Sequence, residues 1–186
     1  RIYLIGGLIL LIGSVLGYQI NKSVNQSFYE DEVEKYISTS DLVDLNQTIE
    51  NLCKIENSNQ LLISGIAQIK IATLLMENGK ILESKAKLLE IINEGNADAI
   101  LTDLATYFYL MSSLNDISID EMNTYLTSNK LENSSFKYLF KEIIAIKNLL
   151  AGNIKISNEK FDELINDKNT PRDIIIRAAK FLDTIK

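Results

Sequence analysis

Two stretches, Ala72-Thr-Leu-Leu-Met-Glu-Asn-Gly79-Lys-Ile81-Leu-Glu-Ser84 and Ala145-Ile-Lys-Asn-Leu-Leu-Ala-Gly152-Asn-Ile154-Lys-Ile-Ser157, align without a gap and carry Ala, Gly, Ile and Ser at identical offsets. Each reads as the end of one helix, a turn and the start of a second helix. Glycine adopts the left-handed conformation that ends a helix, and small residues on either side of the turn let two helices approach. The separation of the copies is roughly two units of a ~34-residue helix-turn-helix repeat. Asn115, in Leu114-Asn115-Asp116-Ile117, falls nearly midway and is the other residue that tolerates the left-handed cap. Turns are therefore expected at Gly79, Asn115 and Gly152.

Outward from these copies, apolar residues recur at helical rather than alternating spacing. The spacing predicts helices over Gln60 to Asn78, Lys80 to Glu94, Ala97 to Leu114, Ser118 to Thr127, Ser134 to Ala151, Ile154 to Asn166 and Pro171 to Ile185. Thr170 is the expected N-cap of the last, with Pro171 in the first turn, where a missing N–H costs nothing. Upstream, a helix running through Tyr36-Ile37 is expected to stop at Ser38-Thr39-Ser40, and Asp41 to cap a helix carrying Leu42, Leu45, Ile49, Leu52 and Ile55. The class is all-α.

The chain has 186 residues, 46% hydrophobic and 24% charged, with one cysteine and no histidine or tryptophan. A disulfide scaffold, a zinc or haem site and a histidine-dependent triad are thereby excluded. The net charge of -6 opposes binding to phosphate backbones, so nucleic acid is not an expected partner. The acid pairs Asp162-Glu163 and Asp120-Glu121, and the run from Glu30 to Glu34, read as solvated helix faces, because none follows a metal-loop spacing. No phosphate-cradling loop is present, and no cofactor is expected.

Residues 2–20 contain no charged side chain, and at 1.5 Å per residue such a helix matches the ~30 Å bilayer core. This segment is expected to be a single uncleaved transmembrane helix, with Tyr3 and Tyr18 near its two boundaries. A cleaved signal peptide and a buried core helix are the competing readings. Arg1 precedes the segment and acids follow it, so the N terminus is expected in the cytoplasm and the bulk of the chain outside it. Because the chain starts without methionine, an earlier cytoplasmic segment is expected. Gly6, Gly13 and Gly17 share one helical face, and Gly13 with Gly17 forms a small-xxx-small pair suited to helix packing in the bilayer. Residues 21–59 then form connecting helices, and residues 60–186 a single helical domain.

The residues of that domain resemble the tetratricopeptide repeat (TPR). Gly79 and Gly152 match its turn, Ala72 and Ala145 its small residue in the first helix, Ser84 and Ser157 its small residue in the second, and Leu88 and Phe161 its large residue one turn later. The pattern is degenerate. Gln68, Leu75, Lys141 and Asn148 occupy usual aromatic positions, and Phe108 and Asp120 replace both small residues of the middle copy. A generic helical bundle is the competing reading. By the resemblance, Thr73, Glu77, Tyr109 and Ser113 line a partner-binding face, Tyr109 being the member of Tyr107-Phe108-Tyr109 turned to the inner side; the competing reading is that these tyrosines pack and send their hydroxyls to water. Tyr125, Phe136, Tyr138 and Phe140 are assigned to core and rim.

One spanning helix, a short acidic connection and a degenerate TPR-like domain resemble in their organisation the ancillary subunit family of the bacterial SecYEG translocon, the YfgM-like proteins. The stretch from Gly152 through Phe161 to Thr170-Pro171 and Arg177-Ala178-Ala179 is similar to that family's C-terminal part. The resemblance implies a non-enzymatic scaffold in the bacterial inner membrane, its domain periplasmic, its partners translocon subunits and periplasmic chaperones. The alternative is a structural or assembly subunit of another membrane complex that self-associates as a homo-oligomer through its membrane helix.

Overall fold

A computed structural model describes residues 30–39, 44–57, 61–94, 98–128 and 131–185, and all secondary structure among them is helical. We label the helices α1 (residues 30–39), α2 (Leu45–Glu56), α3 (Leu61–Glu77), α4 (Ile81–Glu94), α5 (Ala99–Ser112), α6 (Ile119–Ser128), α7 (Lys137–Leu150), α8 (Ile154–Asn166) and α9 (Arg172–Ile185), with a 3-10 turn at Leu131–Asn133 ahead of α7. Among the described residues no helix is long and apolar enough to cross a membrane. The expected span at 2–20, with Gly6, Gly13 and Gly17, lies outside them.

The chain divides into two compact units between Ala67 and Gln68, inside α3. In the first unit, α2 begins three residues later than the apolar pattern suggests. Asp44, not Asp41, is the N-cap: its backbone is extended and its carboxylate accepts the Gln47 N–H at 2.8 Å. At the other end, the Asn57 side chain donates to Cys53 O, and the Ser64 hydroxyl donates to Glu56 O. These bonds satisfy carbonyls that a helix C-terminus leaves open.

The second unit contains the two copies, and their turns are built from the same bonds. Gly79 and Gly152 have φ of +76° and +79°. The Gly79 N–H donates to Met76 O at 3.0 Å and Lys80 N–H to Leu75 O at 2.9 Å. In the later copy Gly152 N–H donates to Leu149 O at 3.0 Å and Asn153 N–H to Asn148 O at 2.9 Å. This paired pattern is the Schellman closure, which needs a left-handed residue at that point. Beyond each turn a serine with no exposed surface donates across the hairpin to the carbonyl twelve residues earlier: Ser84 to Ala72 O at 2.7 Å, Ser157 to Ala145 O at 2.9 Å. Any larger side chain at these serines would push the helices apart, which explains the small residue at both positions.

The copy extends one helix further than the sequence pattern reveals. At the offset that relates Gly79 to Gly152, Ala99–Ser112 of α5 maps onto Arg172–Ile185 of α9. Ala105 and Ala178, both without exposed surface, occupy the same place, as do Leu101 and Ile174 at 6% and 2%. The unit is thus a three-helix motif used twice, with α6 and the 3-10 turn between. Where α5 carries Tyr107 and Leu110, packed into the core around α6 and α7, α9 carries exposed Lys180 and Asp183. That exchange gives α9 the polar outer face of a capping helix.

The middle turn is built differently. Asn115 is exposed within a turn over 113–116, and no Schellman pair closes it. Instead Lys147 of α7, 9% exposed, donates its ammonium to Leu114 O at 2.8 Å, and Lys85 of α4 pairs with Asp116. At the start of α9, Pro171 O accepts the first helical N–H groups from Ile174 and Ile175. Pro171 therefore holds the cap position expected for Thr170, whose buried hydroxyl makes no hydrogen bond.

Open space surrounds the Cβ direction at Gly152, so a substitution there tests conformation alone. Gly152→Val should cost about 1–2 kcal/mol, because a β-branched residue is strained at positive φ. Thermal melts compared with Gly152→Asn, which tolerates that region, check it. Equal midpoints for the two variants would contradict the turn.

Candidate functional site

A concavity in the second unit lies between α6, the 3-10 turn and α7, with a volume of about 320 Å³. Its floor is Leu131 and Phe140, 1% and 2% exposed, which belong to the core around Leu110, Met122 and Ile143. Leu126 of α6 and Ile144 of α7 form half-buried walls, and Asn123, Thr127, Glu132 and Lys141 form an exposed rim. Helical spacing on α7 brings Lys137, Lys141 and Ile144 to one side, with Phe140 between them.

Lys137 and Lys141 line this groove, and their ammonium groups lean from its edge over Tyr138, which lies outside the lining. Lys137 Nζ and Lys141 Nζ lie 5.1 and 5.4 Å from the centre of the Tyr138 ring. Contact with a ring face orients a cation without cancelling its charge. Lys141 also stands 4.0 Å from Asp167, while Lys137 makes no ion pair among the described residues. The Asp167 carboxyl is held below the usual carboxylate range, first by the Asn169 backbone N–H and then by the Tyr138 hydroxyl and Lys141. Asp167 thus partly offsets Lys141, and Lys137 is the lysine of the rim without an ion pair among the described residues.

The face expected from the sequence is differently placed. Thr73 turns its hydroxyl to Lys70 O at 2.9 Å, and Glu77 is exposed. Ser113 is buried at 1% with an unbonded hydroxyl, so it presents nothing to a partner. Tyr109 is half-buried with its ring 5.3 Å from that of Tyr125 on α6, rather than standing free on an inner face. None of the four lines the groove. Of the neighbouring aromatics, Tyr107 packs edge-on against Phe140 at 6.3 Å and Phe108 against Tyr107 at 5.8 Å. Tyr138 and Phe140 are buried, and Tyr125 and Phe136 are half-buried, as core and rim positions. Asp120, Glu121, Asp162 and Glu163 are all exposed, and among the described residues no cluster of His, Cys, Asp or Glu forms a metal site.

Burial, and secondarily the hydrogen bond shared with Tyr109, push the Tyr125 phenol up to about 12. A raised acid favours the folded state while neutral. This stabilisation is complete below pH ~10 and is lost as pH rises from about 10 toward 12. Ultraviolet difference titration should show the late-ionising amplitude reduced by one tyrosine in Tyr125→Phe, and that contribution shifted part of the way down in Tyr109→Phe. An unchanged titration in Tyr125→Phe would contradict the contact.

Compared with protein-family models, curated proteins and solved structures, the chain matches none.

Proposed function

We propose that this protein is a non-enzymatic, membrane-anchored scaffold with a degenerate TPR-like domain, which holds protein partners at the bacterial inner membrane. The observation that carries the reading is the open, apolar α6–α7 groove rimmed by fixed charges, set in an array of helix pairs. Arrays of this kind present extended surfaces to partner segments. The uncharged stretch at 2–20 supports the anchor, and the flanking charges support a cytoplasmic N terminus and a periplasmic domain. The resemblance to YfgM-like subunits supports translocon subunits and periplasmic chaperones as the partners.

Extraction of the full chain in mild detergent, followed by mass spectrometry, tests this. Translocon or chaperone subunits should copurify in amounts comparable to the bait. Recovery of the chain alone, at a multimeric mass, would instead support the self-associating reading. That alternative draws on the exposed apolar side chains Leu82, Ile154 and Ile156, of which Leu82 is 82% exposed.

A further inference from the structure

We propose that the α6–α7 groove binds a peptide segment in which one large apolar side chain is flanked by carboxylates. This deepens the scaffold reading and rests on it. The volume of about 320 Å³ over Leu131 and Phe140 suits one large aliphatic or aromatic side chain, and Leu126 and Ile144 would cover its flanks. Asn123 and Thr127 are exposed members of the lining, at the rim where a segment's backbone would run. Among the described residues the Asn123 side chain makes no hydrogen bond, whereas the Thr127 hydroxyl is already donated to Asn123 O. Asn123 is therefore the rim group available to a peptide backbone.

The charges decide what flanks the anchor. The chain carries a net charge of -6, and an acidic segment is repelled by most of it. Along the lining the balance is reversed: Lys137 and Lys141 stand one turn apart on α7 with Glu132 as the one lining acid, and of the two lysines Lys141 is partly offset by Asp167 at 4.0 Å while Lys137 has no ion pair among the described residues. A basic segment would meet like charge at Lys137 and Lys141, and an uncharged one would leave Lys137 without an ion pair. A carboxylate beside the anchor matches Lys137, and a second one would share Lys141 with Asp167.

The test uses the full chain in detergent micelles and fluorescence anisotropy of a short labelled peptide, amidated at its C terminus, with one phenylalanine and two glutamates on each side. Binding should weaken about fivefold or more when the glutamates become glutamines, and again when salt rises from about 50 to 500 mM. Changing the phenylalanine to alanine should abolish it. In the protein, K137E with K141E should reverse the preference toward a lysine-flanked peptide while circular dichroism stays unchanged, and K137E alone, which disturbs no ion pair, should move the preference part of the way. Leu126→Gln provides a second variant that weakens both peptides without altering charge preference. Equal binding of the glutamate and glutamine peptides, or no effect of the lysine reversal, would overturn the proposal. So would displacement of the peptide by oleate at lower concentration, or a change of oligomeric state in the lysine variant, since these assign the groove to an acyl chain or to a second copy. If no peptide binds while protein partners still copurify, the groove chemistry fails and the scaffold stands. If the peptide binds as expected and no protein partner copurifies, the scaffold fails and the groove chemistry stands.

Discussion

Phe161→Ala is expected to lose about 3–5 kcal/mol of stability, more than any other truncation in the second unit. Phe161 has no exposed surface, and its ring stacks on that of Phe181 at 5.0 Å and 10°. Around it sit Tyr138, Ala145, Leu164, Ile174 and Ala178, so one side chain joins α7, α8 and α9. Truncation removes both the transfer term and the contacts of a cavity that three helices cannot collapse into together. Phe181→Ala should cost roughly half as much, because Phe181 is only half-buried. Urea unfolding of both variants checks the order. A loss below about 1.5 kcal/mol for Phe161→Ala, or a larger loss for Phe181→Ala, would mean that this cluster does not hold the last three helices.

The second large effect concerns the ion pair between α7 and α9. Glu142 is 4% exposed, and Arg177 grips it with two parallel bonds, Nε to Oε1 at 2.7 Å and Nη2 to Oε2 at 2.8 Å. Arg177 also donates to Asp173 at 2.9 Å. Arg177→Met strands a buried carboxylate and should cost about 2–3 kcal/mol, at or just below the range for broken fully buried pairs because the guanidinium side is 42% exposed. The double variant Glu142→Leu with Arg177→Met should recover most of that loss, since it leaves no charge unpaired. Additive losses would contradict the pairing. The hydrogen bond from Arg177 also holds the Asp173 carboxyl below its ordinary value of 3.8. Its contribution is therefore present above that pH and fades as pH falls through the lower folded value, a dependence that Arg177→Met should remove.

Those features show which parts of the fold a sequence displays. The hairpins at Gly79 and Gly152 were legible because a left-handed turn and a close helix crossing each admit few residue types, so Gly and Ser mark them directly. The equivalence of α5 and α9 was not, because it rests on buried Ala105 and Ala178 amid surfaces that diverge where α9 becomes polar. Asn115 drew attention to a turn whose carbonyl is in fact satisfied by Lys147 from the next hairpin, a long-range bond with no local mark. Asp41 and Asp44 look alike as caps, and only the backbone geometry selects Asp44.

The candidate site was less legible than the fold. Placing Tyr109 and Ser113 on a partner-binding face follows from the resemblance, whereas the fold buries Ser113 and packs Tyr125 of α6 against a half-buried Tyr109, contacts that no local pattern announces. The groove gathers Asn123, Leu126 and Thr127, then Leu131 and Glu132, then α7, so no single stretch announces it. The one local signal is the mixture of Lys137, Phe140, Lys141 and Ile144 along α7, where lysines flank apolar residues on a helix that also serves the core.

The central claim is that this groove is where the scaffold takes hold of a partner, and a photo-crosslinking side chain at Asn123 in the full chain, in its native membrane, tests it most directly. The account predicts a discrete protein adduct that is lost when Lys137 and Lys141 become glutamate and is competed by the glutamate-flanked phenylalanine peptide but not by its glutamine counterpart. An adduct indifferent to both the lysine reversal and the peptide, or none at all beside partners that still copurify, would contradict it.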